Sequence, residues 1–396
     1  MHICGIIAEY NPFHLGHAWQ IGQVRSLFGA DTAVVCAMSG NFVQRGDFAV
    51  LRKHARAEAA LRGGADLVLE LPLPWALASA EGFARGGVGV LARLGAVETL
   101  VFGSECGDTQ ALVRAAACLD TADYAAALRA RLTQGTSYAA AREAAVRGLL
   151  GAGADVLKSP NDNLGVEYCR AIARLGGGMQ PLALPRVGAA HDGAPSGTLA
   201  SASHIRALLL RGEDASAYLP AETLRIFRAE CAAQRAPVCA ANAERAVLAR
   251  LRMLREEDFA AADSGAEGLS HRLYAAARTV SSLDALYAAA KTKRAAHARL
   301  RRVTMRAFLG LSSALPEEVP YLRVLGCTAR GREVLRRAKE NGAPLLTKPA
   351  DVRRLSPEAQ QLFALEARAT DLFTLAYPSL SAAAGGSEWT TGPVIC

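Results

Sequence analysis

Two histidines near the start of the chain, His14 and His17, have the types and the spacing that suit phosphate chemistry. They follow an apolar run, Ile3–Ala8, which predicts a buried strand, and a helix is expected to begin near His17. Side chains three residues apart face the same way at a helix start, where backbone N–H groups and the helix dipole favour an anion. An imidazole adds a donor for charge that develops on a leaving pyrophosphate. The pattern therefore predicts nucleotide chemistry.

Other interpretations of the two histidines remain open on this pattern alone. A His-x-x-His pair can simply be two surface or core residues beside a turn. Zinc is a further alternative, but a zinc site usually needs a third ligand at a recognisable spacing, and no cysteine pair or acidic histidine motif lies nearby. We therefore expect no metal site built from protein ligands.

Strand and helix patterns alternate through the first half of the chain. Apolar runs predict strands at residues 2–8, 32–37, 67–71 and 99–102, with a short one near 181–184. Helical patterns at 17–28, 53–63 and 81–94 separate them, which indicates a parallel sheet with crossover helices. The loops that carry residues 14–17, 39–46 and 103–105 all follow strands. They should therefore meet at the carboxyl edge of the sheet, where ligands bind in such folds.

Length and composition place the chain among folded two-domain proteins. It has 396 residues, of which 51% are hydrophobic and 21% are charged. No apolar run of about 18 residues predicts a membrane span, and no basic segment with a cleavage site precedes the first strand. Nine scattered cysteines without Cys-x-x-Cys pairs indicate reduced thiols. These features predict a cytoplasmic protein without a membrane segment.

Charge divides the chain into two parts. Residues 1–215 carry equal numbers of basic and acidic side chains, so the whole net charge of +8 lies in residues 216–396, where long helical patterns dominate. We therefore predict an α/β catalytic domain at 1–215 and a basic helical domain at 216–396. The small residues at 382–387 read as a flexible linker near the end of the chain.

The densest basic stretch, residues 291–306, has seven lysines or arginines and no acid. A solvated helix face is the common explanation of such a run, but its position in the one half with net charge favours RNA binding. A second basic cluster follows at residues 330–339. The predicted RNA contacts are Lys291, Lys293, Arg294, Arg299, Arg302 and Arg306. The last three fall at spacings that place them on one helix face.

Several ordered motifs resemble one known family. The run at residues 8–17 resembles the His-x-Gly-His signature of the nucleotidyltransferase superfamily, and its longer form, Glu-Tyr-Asn-Pro-Phe-His-Leu-Gly-His, is similar to bacterial tRNA(Met) cytidine acetate ligases. Further segments that agree with this family lie at residues 38–46, 66–72, 102–105, 159–165 and 201–206. The resemblance runs through the first 215 residues and continues more thinly to about residue 350.

The resemblance implies a Rossmann-like nucleotidyltransferase domain and a two-step reaction. Acetate and ATP would give acetyl-adenylate, and the exocyclic amine of the wobble cytidine of elongator tRNA(Met) would then take the acetyl group. Mg²⁺ would be carried mainly by the ATP phosphates, and Arg186 or His191 could hold acetate. His14 and His17 would be catalytic. The implied ATP contacts are Ile7, Ala8, Glu9, Tyr10, Asn11, Pro12, Phe13, His14, Leu15, Gly16, His17, Ala18, Trp19, Gln20, Gly103, Asn161 and Arg186.

The residues themselves give partial support to these contacts. Gly103 would let the backbone approach a flat ring, although an ordinary turn glycine explains it equally well. Asn161 could offer its amide to a purine edge or could cap a helix from residue 164 onward. Ser201, Ser203 and Arg206 are similar to the superfamily's second phosphate motif at a helix start, whereas a simple helix cap would account for Ser201 alone.

The chain departs from the family pattern at two positions. Asp162 stands where relatives usually have a second asparagine, which puts a negative charge beside the expected purine site. Ala190 stands where a tyrosine commonly precedes the histidine. Two other functions remain open from the sequence: a nucleotidyltransferase acting on a small metabolite, and an RNA-binding protein without catalysis. The first of these gives the basic second half no role.

Overall fold

The structure is a computed structural model that describes residues 1–176, 178–186, 200–263, 265, 268–292 and 295–396. The strands in chain order are β1 (Ile3–Ala8), β2 (Ala33–Ser39), β3 (Phe42–Val43), β4 (Asp47–Phe48), β5 (Leu67–Leu71), β6 (Thr99–Ser104), β7 (Gln180–Pro185), β8 (Leu322–Cys327), β9 (Leu345–Leu346) and β10 (Val394–Ile395). Short 3₁₀ segments lie at Gly151–Leu157, Ser216–Tyr218, Pro349–Arg354 and Leu380–Ala382.

Helices fill the crossovers and most of the second half. They are α1 (Leu15–Phe28), α2 (Lys53–Arg62), α3 (Leu73–Ala76), α4 (Ala80–Arg93), α5 (Thr109–Cys118), α6 (Ala122–Leu132), α7 (Tyr138–Leu150), α8 (Pro160–Leu175), α9 (Ala202–Arg211), α10 (Ala221–Ala232), α11 (Ala240–Met253), α12 (Glu256–Ala262), α13 (Leu269–Thr279), α14 (Leu283–Ala290), α15 (His297–Leu309), α16 (Ala329–Glu340), α17 (Pro357–Thr374) and α18 (Ser387–Thr390). Among these described helices, none is both long and apolar enough to cross a bilayer.

The central sheet has the strand order β10-β8-β5-β2-β1-β6-β7, with β9 beside β8. The five strands from β5 to β7 are parallel, as the alternating pattern predicted. The chain moves to one side from β1 to β2 and β5, and to the other side from β1 to β6 and β7. This reversal opens a crevice beyond the carboxyl ends of β1 and β6, which is the usual ligand position in such sheets.

The Rossmann-like α/β class with a mainly helical second half is confirmed. Three strands from beyond residue 215 nevertheless join the sheet, because β8 pairs antiparallel with β5, and β9 and β10 pair parallel with β8. The boundary between 1–215 and 216–396 stays a prediction. In the structure the second part contributes an edge of the first part's sheet.

Two buried layers hold the sheet and the helices together. All of β1 except Ala8 is buried, and α1 and α2 cover one face of the sheet while α4 and α8 cover the other. A separate core joins α11 to α15 with α17 and includes Phe42, Phe48 and Leu73 from the first half. The helical part is therefore seated on the β3–β4 hairpin and α3, close to the carboxyl edge of the sheet.

The end of the chain differs from the predicted flexible linker. Residues 380–395 form a 3₁₀ turn, α18 and β10, and Glu388 of α18 is buried against Lys53 of α2 at 2.7 Å. Small residues and glycines at 382–387 resemble a linker in sequence. The buried ion pair, which no local pattern reveals, fixes them.

Candidate active site

His14 is the N-cap residue of α1, which begins at Leu15, two residues before the predicted start. Its Nδ1 accepts a hydrogen bond from the Gly16 N–H at 3.1 Å, and the Nδ1 of His17 accepts one from the His14 N–H at 3.3 Å. The two rings stack with their centroids 3.7 Å apart. A Cβ on Gly16 would lie 3.0 Å from the His14 ring, so a larger residue would press on the ring.

These hydrogen bonds fix the protonation of both imidazoles. A ring whose Nδ1 accepts an N–H carries its own proton on Nε2 when it is neutral. Burial lowers the pKa of His14 to about 4, and the nearby guanidinium groups of Arg186 and Arg206 act in the same direction. Burial also lowers the pKa of His17 well below its usual value. The pair therefore presents two neutral Nε2–H donors at physiological pH.

A cavity of about 1040 Å³ opens beside these histidines at the carboxyl edge of the sheet. This volume is at the upper end of the range for small-molecule pockets, roughly 300–1,000 Å³. It is lined by the predicted contacts Ile7, Ala8, Glu9, Tyr10, Asn11, His14, Gly16, His17, Trp19, Gln20, Gly103, Asn161, Arg186, Ser201, Ser203 and Arg206. Residues from five separate parts of the chain thus meet where the sequence pattern placed a nucleotide.

Four residues of the predicted nucleotide segment do not line the cavity: Pro12, Phe13, Leu15 and Ala18. Phe13 is fully buried and packs against Gly63 below the loop. Its ring meets Tyr10 edge-on, with the centroids 5.0 Å apart. The Phe13 side chain therefore does not contact the nucleotide site as expected. It packs under the histidine loop and stabilises the position of that loop.

Gly103 and Arg186 form the opposite wall of the crevice. Both lie at the ends of neighbouring strands, and the Arg186 N–H donates to the Ser104 carbonyl at 2.9 Å. A Cβ on Gly103 would approach the Arg186 Cγ to 3.3 Å, so the small residue leaves room for the arginine stem. The exposed Arg186 guanidinium faces the histidines and is available for an anion.

Asn161 lies inside α8, whose N-cap is Ser159, so the proposed helix cap from residue 164 is wrong. Its amide donates to Glu105 at 2.6 Å, which leaves its carbonyl oxygen for a ligand. Asp162 turns away from the cavity. Its carboxylate accepts from the Ser104 hydroxyl at 2.5 Å and from the Glu105 N–H at 2.8 Å. The departure from the family pattern therefore stabilises the loop after β6.

The start of α9 completes the wall near Asn11. Ser201 is the helix N-cap and accepts from the His204 N–H at 3.2 Å, so the cap interpretation holds for its side chain. Arg206 donates to the Asn11 carbonyl at 2.8 Å and to the Ser203 hydroxyl at 3.3 Å. These hydrogen bonds attach α9 to the histidine loop and place the Arg206 guanidinium at the cavity.

The basic helix α15 lines the other side of this cavity, which the sequence did not predict. Arg299, Arg302 and Arg306 share one face, as expected, and all three border the cavity. The backbone of Arg301 and Arg302 packs on Gly46, where a Cβ would lie 2.4 Å from backbone atoms of α15. Gly46 adopts φ +74, which favours glycine at this contact. The turn of the β3–β4 hairpin thus joins the nucleotide side to α15.

The three arginines differ in their surroundings. Arg299 pairs with Asp263 at 2.9 Å. Arg306 is buried and donates to the carbonyls of Pro74 and Leu77 at 3.2 and 3.0 Å, so it supports the fold instead of standing on the surface as predicted. Arg302 makes no hydrogen bond or ion pair within the described part of the chain, and burial lowers its pKa to about 10.

The remaining basic residues are divided between surface and undescribed segments. Lys291 is exposed and lies outside the cavity, whereas Lys293, Arg294, Ala190 and His191 are not among the described residues. In the second basic cluster, Arg336 pairs with Glu333 and Glu340 at 2.6 Å, and Arg337 pairs with Glu333 at 3.4 Å. Two of the five cations in that cluster are therefore ion-paired within their own helix.

The sheet topology and the neutral histidine pair define a nucleotidyltransferase class of α/β protein. The family model described as HIGH Nucleotidyl Transferase matches residues 1–388. A tRNA(Met) cytidine acetate ligase from Fervidobacterium nodosum is 35% identical over 96% of both chains. Its counterpart from Acetivibrio thermocellus is 33% identical over 100% of both, and that from Syntrophotalea carbinolica is 37% identical over 100% of this chain and 99% of its own.

Two solved structures have the same fold over the whole chain. Crystal structures of Thermotoga maritima TmcAL match with TM-scores of 0.95 for an apo form and 0.92 for a form bound with alpha-thio ATP. Their sequence identities are 30% and 31%, and each match covers 100% of this chain and 99% of the other. This chain belongs to the family of tRNA(Met) cytidine acetate ligases.

Proposed function

We propose that this protein is an ATP-dependent acetate ligase that forms acetyl-adenylate and acetylates the N4 amine of the wobble cytidine of elongator tRNA(Met). The observation that carries the proposal is the shared cavity. The nucleotide side of this cavity presents the two neutral histidines with Arg186 across the crevice from them, and the other side presents the basic helix α15. Because a small-metabolite nucleotidyltransferase needs no such second wall, the geometry favours a polyanionic acceptor.

In the first step, a carboxylate oxygen of acetate attacks the α-phosphorus of ATP, and the bond to pyrophosphate breaks. The Nε2–H groups of His14 and His17 donate to the phosphate oxygens as charge moves onto the leaving group. Arg186 and Arg206 add positive charge on either side of the pair. Such a transfer depends on positioning and charge stabilisation, so no protein nucleophile is required.

Mg²⁺ neutralises phosphate charge when it is bound. Among the residues that the structure describes, no three His, Cys, Asp or Glu side chains are grouped as a ligand set. We infer that the ATP phosphates themselves carry the ion, as Mg²⁺ prefers few protein ligands and keeps several waters.

In the second step, the cytidine amine attacks the acyl carbon and AMP leaves. Arg302 is the side chain of α15 best placed to hold an RNA phosphate near this point, because its guanidinium borders the cavity without an ion pair among the described residues. Arg299 stands one helical turn earlier on the same face. A tRNA substrate also implies that the protein works in the cytoplasm.

The test is to incubate the purified protein with ATP, labelled acetate and bulk tRNA, and to locate the label by nucleoside digestion. We expect label in N4-acetylcytidine and pyrophosphate release that depends on acetate. His14→Ala should abolish both. His271→Ala changes an exposed histidine that pairs with Glu256 at the surface and does not border the described cavity, so it should behave as wild type. Pyrophosphate release without dependence on acetate would refute the proposal.

A further inference from the structure

Transfer of the acetyl group to the cytidine amine releases a proton, and the two histidines are poor candidates to accept it. The Nδ1 atoms of His14 and His17 already accept backbone N–H groups, and their Nε2 atoms carry protons. Protonating either ring would place an N–H against an N–H at the helix start. The acceptor must therefore be another group that borders the cavity.

Carboxylates are the natural proton acceptors in such a site. The described acidic residues that line the cavity are Glu9, Glu81, Glu167 and Asp263. Three of them are already held by arginines: Glu81 with Arg174 at 3.0 Å, Glu167 with Arg142 at 2.6 Å, and Asp263 with Arg299 at 2.9 Å. Each of these carboxylates must therefore give up an arginine contact before it can take a proton from a substrate amine.

Glu9 differs from these three. It is half-buried, and its Oε1 accepts a hydrogen bond from the Gln44 N–H at 2.6 Å. Within the described residues it forms no ion pair, and its Oε2 receives no hydrogen bond. The Gln44 bond fixes the carboxylate in orientation through one oxygen and leaves the other oxygen for the cavity.

The position of Glu9 also suits the second step. It lies between the end of β1 and the histidine loop, so it borders the nucleotide side of the cavity. Gln44 belongs to the loop whose Gly46 packs on the backbone of α15. Glu9 thus stands at the junction between the phosphate-binding wall and the basic helix. The charged groups around it are Arg56, which donates to the Glu9 carbonyl, and Arg206.

We propose that Glu9 is the catalytic base of acetyl transfer to the RNA, an inference that rests on the function proposed above. As the cytidine N4 atom forms its bond to the acyl carbon, Oε2 of Glu9 takes one proton from the amine. The bond between the acyl carbon and the phosphate oxygen breaks, and AMP leaves with that electron pair. The products are the acetylated cytidine, AMP and a protonated Glu9, which returns its proton to solvent.

The decisive variant is Glu9→Gln, which keeps an oxygen for the Gln44 N–H and removes the basicity. Acetate-dependent exchange of pyrophosphate into ATP reports the first step, and single-turnover transfer from preformed acetyl-adenylate to tRNA reports the second. We expect transfer to fall by about 10²-fold or more, the usual contribution of a general base, and to fall at least about tenfold further than exchange, because only transfer needs a proton acceptor. Glu81→Gln, which alters a cavity carboxylate already held by arginines, should leave both rates unchanged.

Each other result has a defined meaning. Transfer at the wild-type rate in Glu9→Gln would overturn the inference. So would equal loss of exchange and transfer in a folded variant, which would assign Glu9 to the phosphates or their metal. Glu9→Asp is an independent test, because moving the carboxylate back by one methylene should slow transfer while exchange persists. An unaltered transfer rate in Glu9→Asp would also overturn the inference. Absence of acetate-dependent exchange in the wild-type protein would instead refute the proposed function itself.

Discussion

Replacing Lys53 by methionine should destabilise the protein severely, because Lys53 is the centre of a buried ionic cluster. Its Nζ lies 2.7 and 2.8 Å from the two carboxylate oxygens of Glu70 and 2.7 Å from Glu388. All three side chains are at most 3% exposed. Burial alone would lower the pKa of Lys53, but Glu388 and Glu70 raise it above its usual value, so the ammonium stays charged.

The magnitude follows from what the substitution leaves behind. Methionine matches the volume of the lysine stem but leaves two buried carboxylates, of which Glu388 keeps Arg323 at 3.7 Å and the Thr370 hydroxyl at 3.0 Å. Breaking a buried ion pair by removing one partner typically costs about 3–5 kcal/mol. This is a large part of a total stability of roughly 5–15 kcal/mol. The loss should be greatest where Lys53 holds α18, because Glu388 is the connection to the C-terminal segment.

Urea unfolding measures the change, and limited proteolysis of the C-terminus reports release of α18. Lys158→Met is the matched control, because Lys158 pairs with Asp155 at the surface with both side chains more than half exposed; we expect a change of at most about 1 kcal/mol. Adding Glu388→Gln to Lys53→Met should recover part of the loss by removing one orphaned charge. A Lys53→Met loss no larger than that of Lys158→Met would refute this account of the cluster.

Three further predictions concern the cavity and its histidines. His14→Ala should abolish adenylate formation while leaving tRNA affinity in filter binding nearly intact; loss of both would place His14 in the RNA contact. Arg302→Met should weaken tRNA binding and reduce its salt dependence without changing the free energy of unfolding. Arg306→Met should lower the free energy of unfolding by about 1–3 kcal/mol, because it leaves buried carbonyls unpaired. A loss of stability in Arg302→Met and a loss of tRNA binding alone in Arg306→Met would contradict the geometry. Because folding holds the pKa of His14 at about 4 and that of the buried His54 at about 3, the unfolded chain binds more protons below pH 6.5. The free energy of unfolding should therefore fall as the pH drops from about 6.5 towards 4. A urea midpoint that is constant over this range would show that folding does not lower the pKa of either ring.

The histidine loop could be predicted from the sequence because its determinants are local. An apolar strand, a break at Asn11-Pro12 and two spaced histidines all lie within one short segment. The helix start was misplaced by two residues, since an imidazole that caps its own helix is not among the usual capping signals. The role of Phe13 was also hidden, because its burial depends on Gly63 of a different crossover.

Contacts between distant parts of the chain account for what the sequence did not show. The antiparallel pairing of β8 with β5 joins residues more than 250 positions apart in the sequence, and the residue pattern of neither strand specifies this pairing. Glu388 looks like an ordinary surface acid in a glycine-rich tail until Lys53 is placed beside it. Arg306 shares the spacing of a basic stripe, yet its carbonyl partners come from the segment around α3.

The position of α15 connects these observations to function. Counting charge along the chain assigns the positive excess to the second half, but it does not show where that half meets the nucleotide site. In the structure, Gly46 brings the turn of the β3–β4 hairpin into contact with the backbone of α15, and Arg302 and the histidine pair border one cavity. An acyl-adenylate formed at one wall can then meet an RNA base held at the other without leaving the protein. With the role proposed for Glu9, the two steps are coupled at the junction of the two walls, where the Gln44 N–H holds the Glu9 carboxylate.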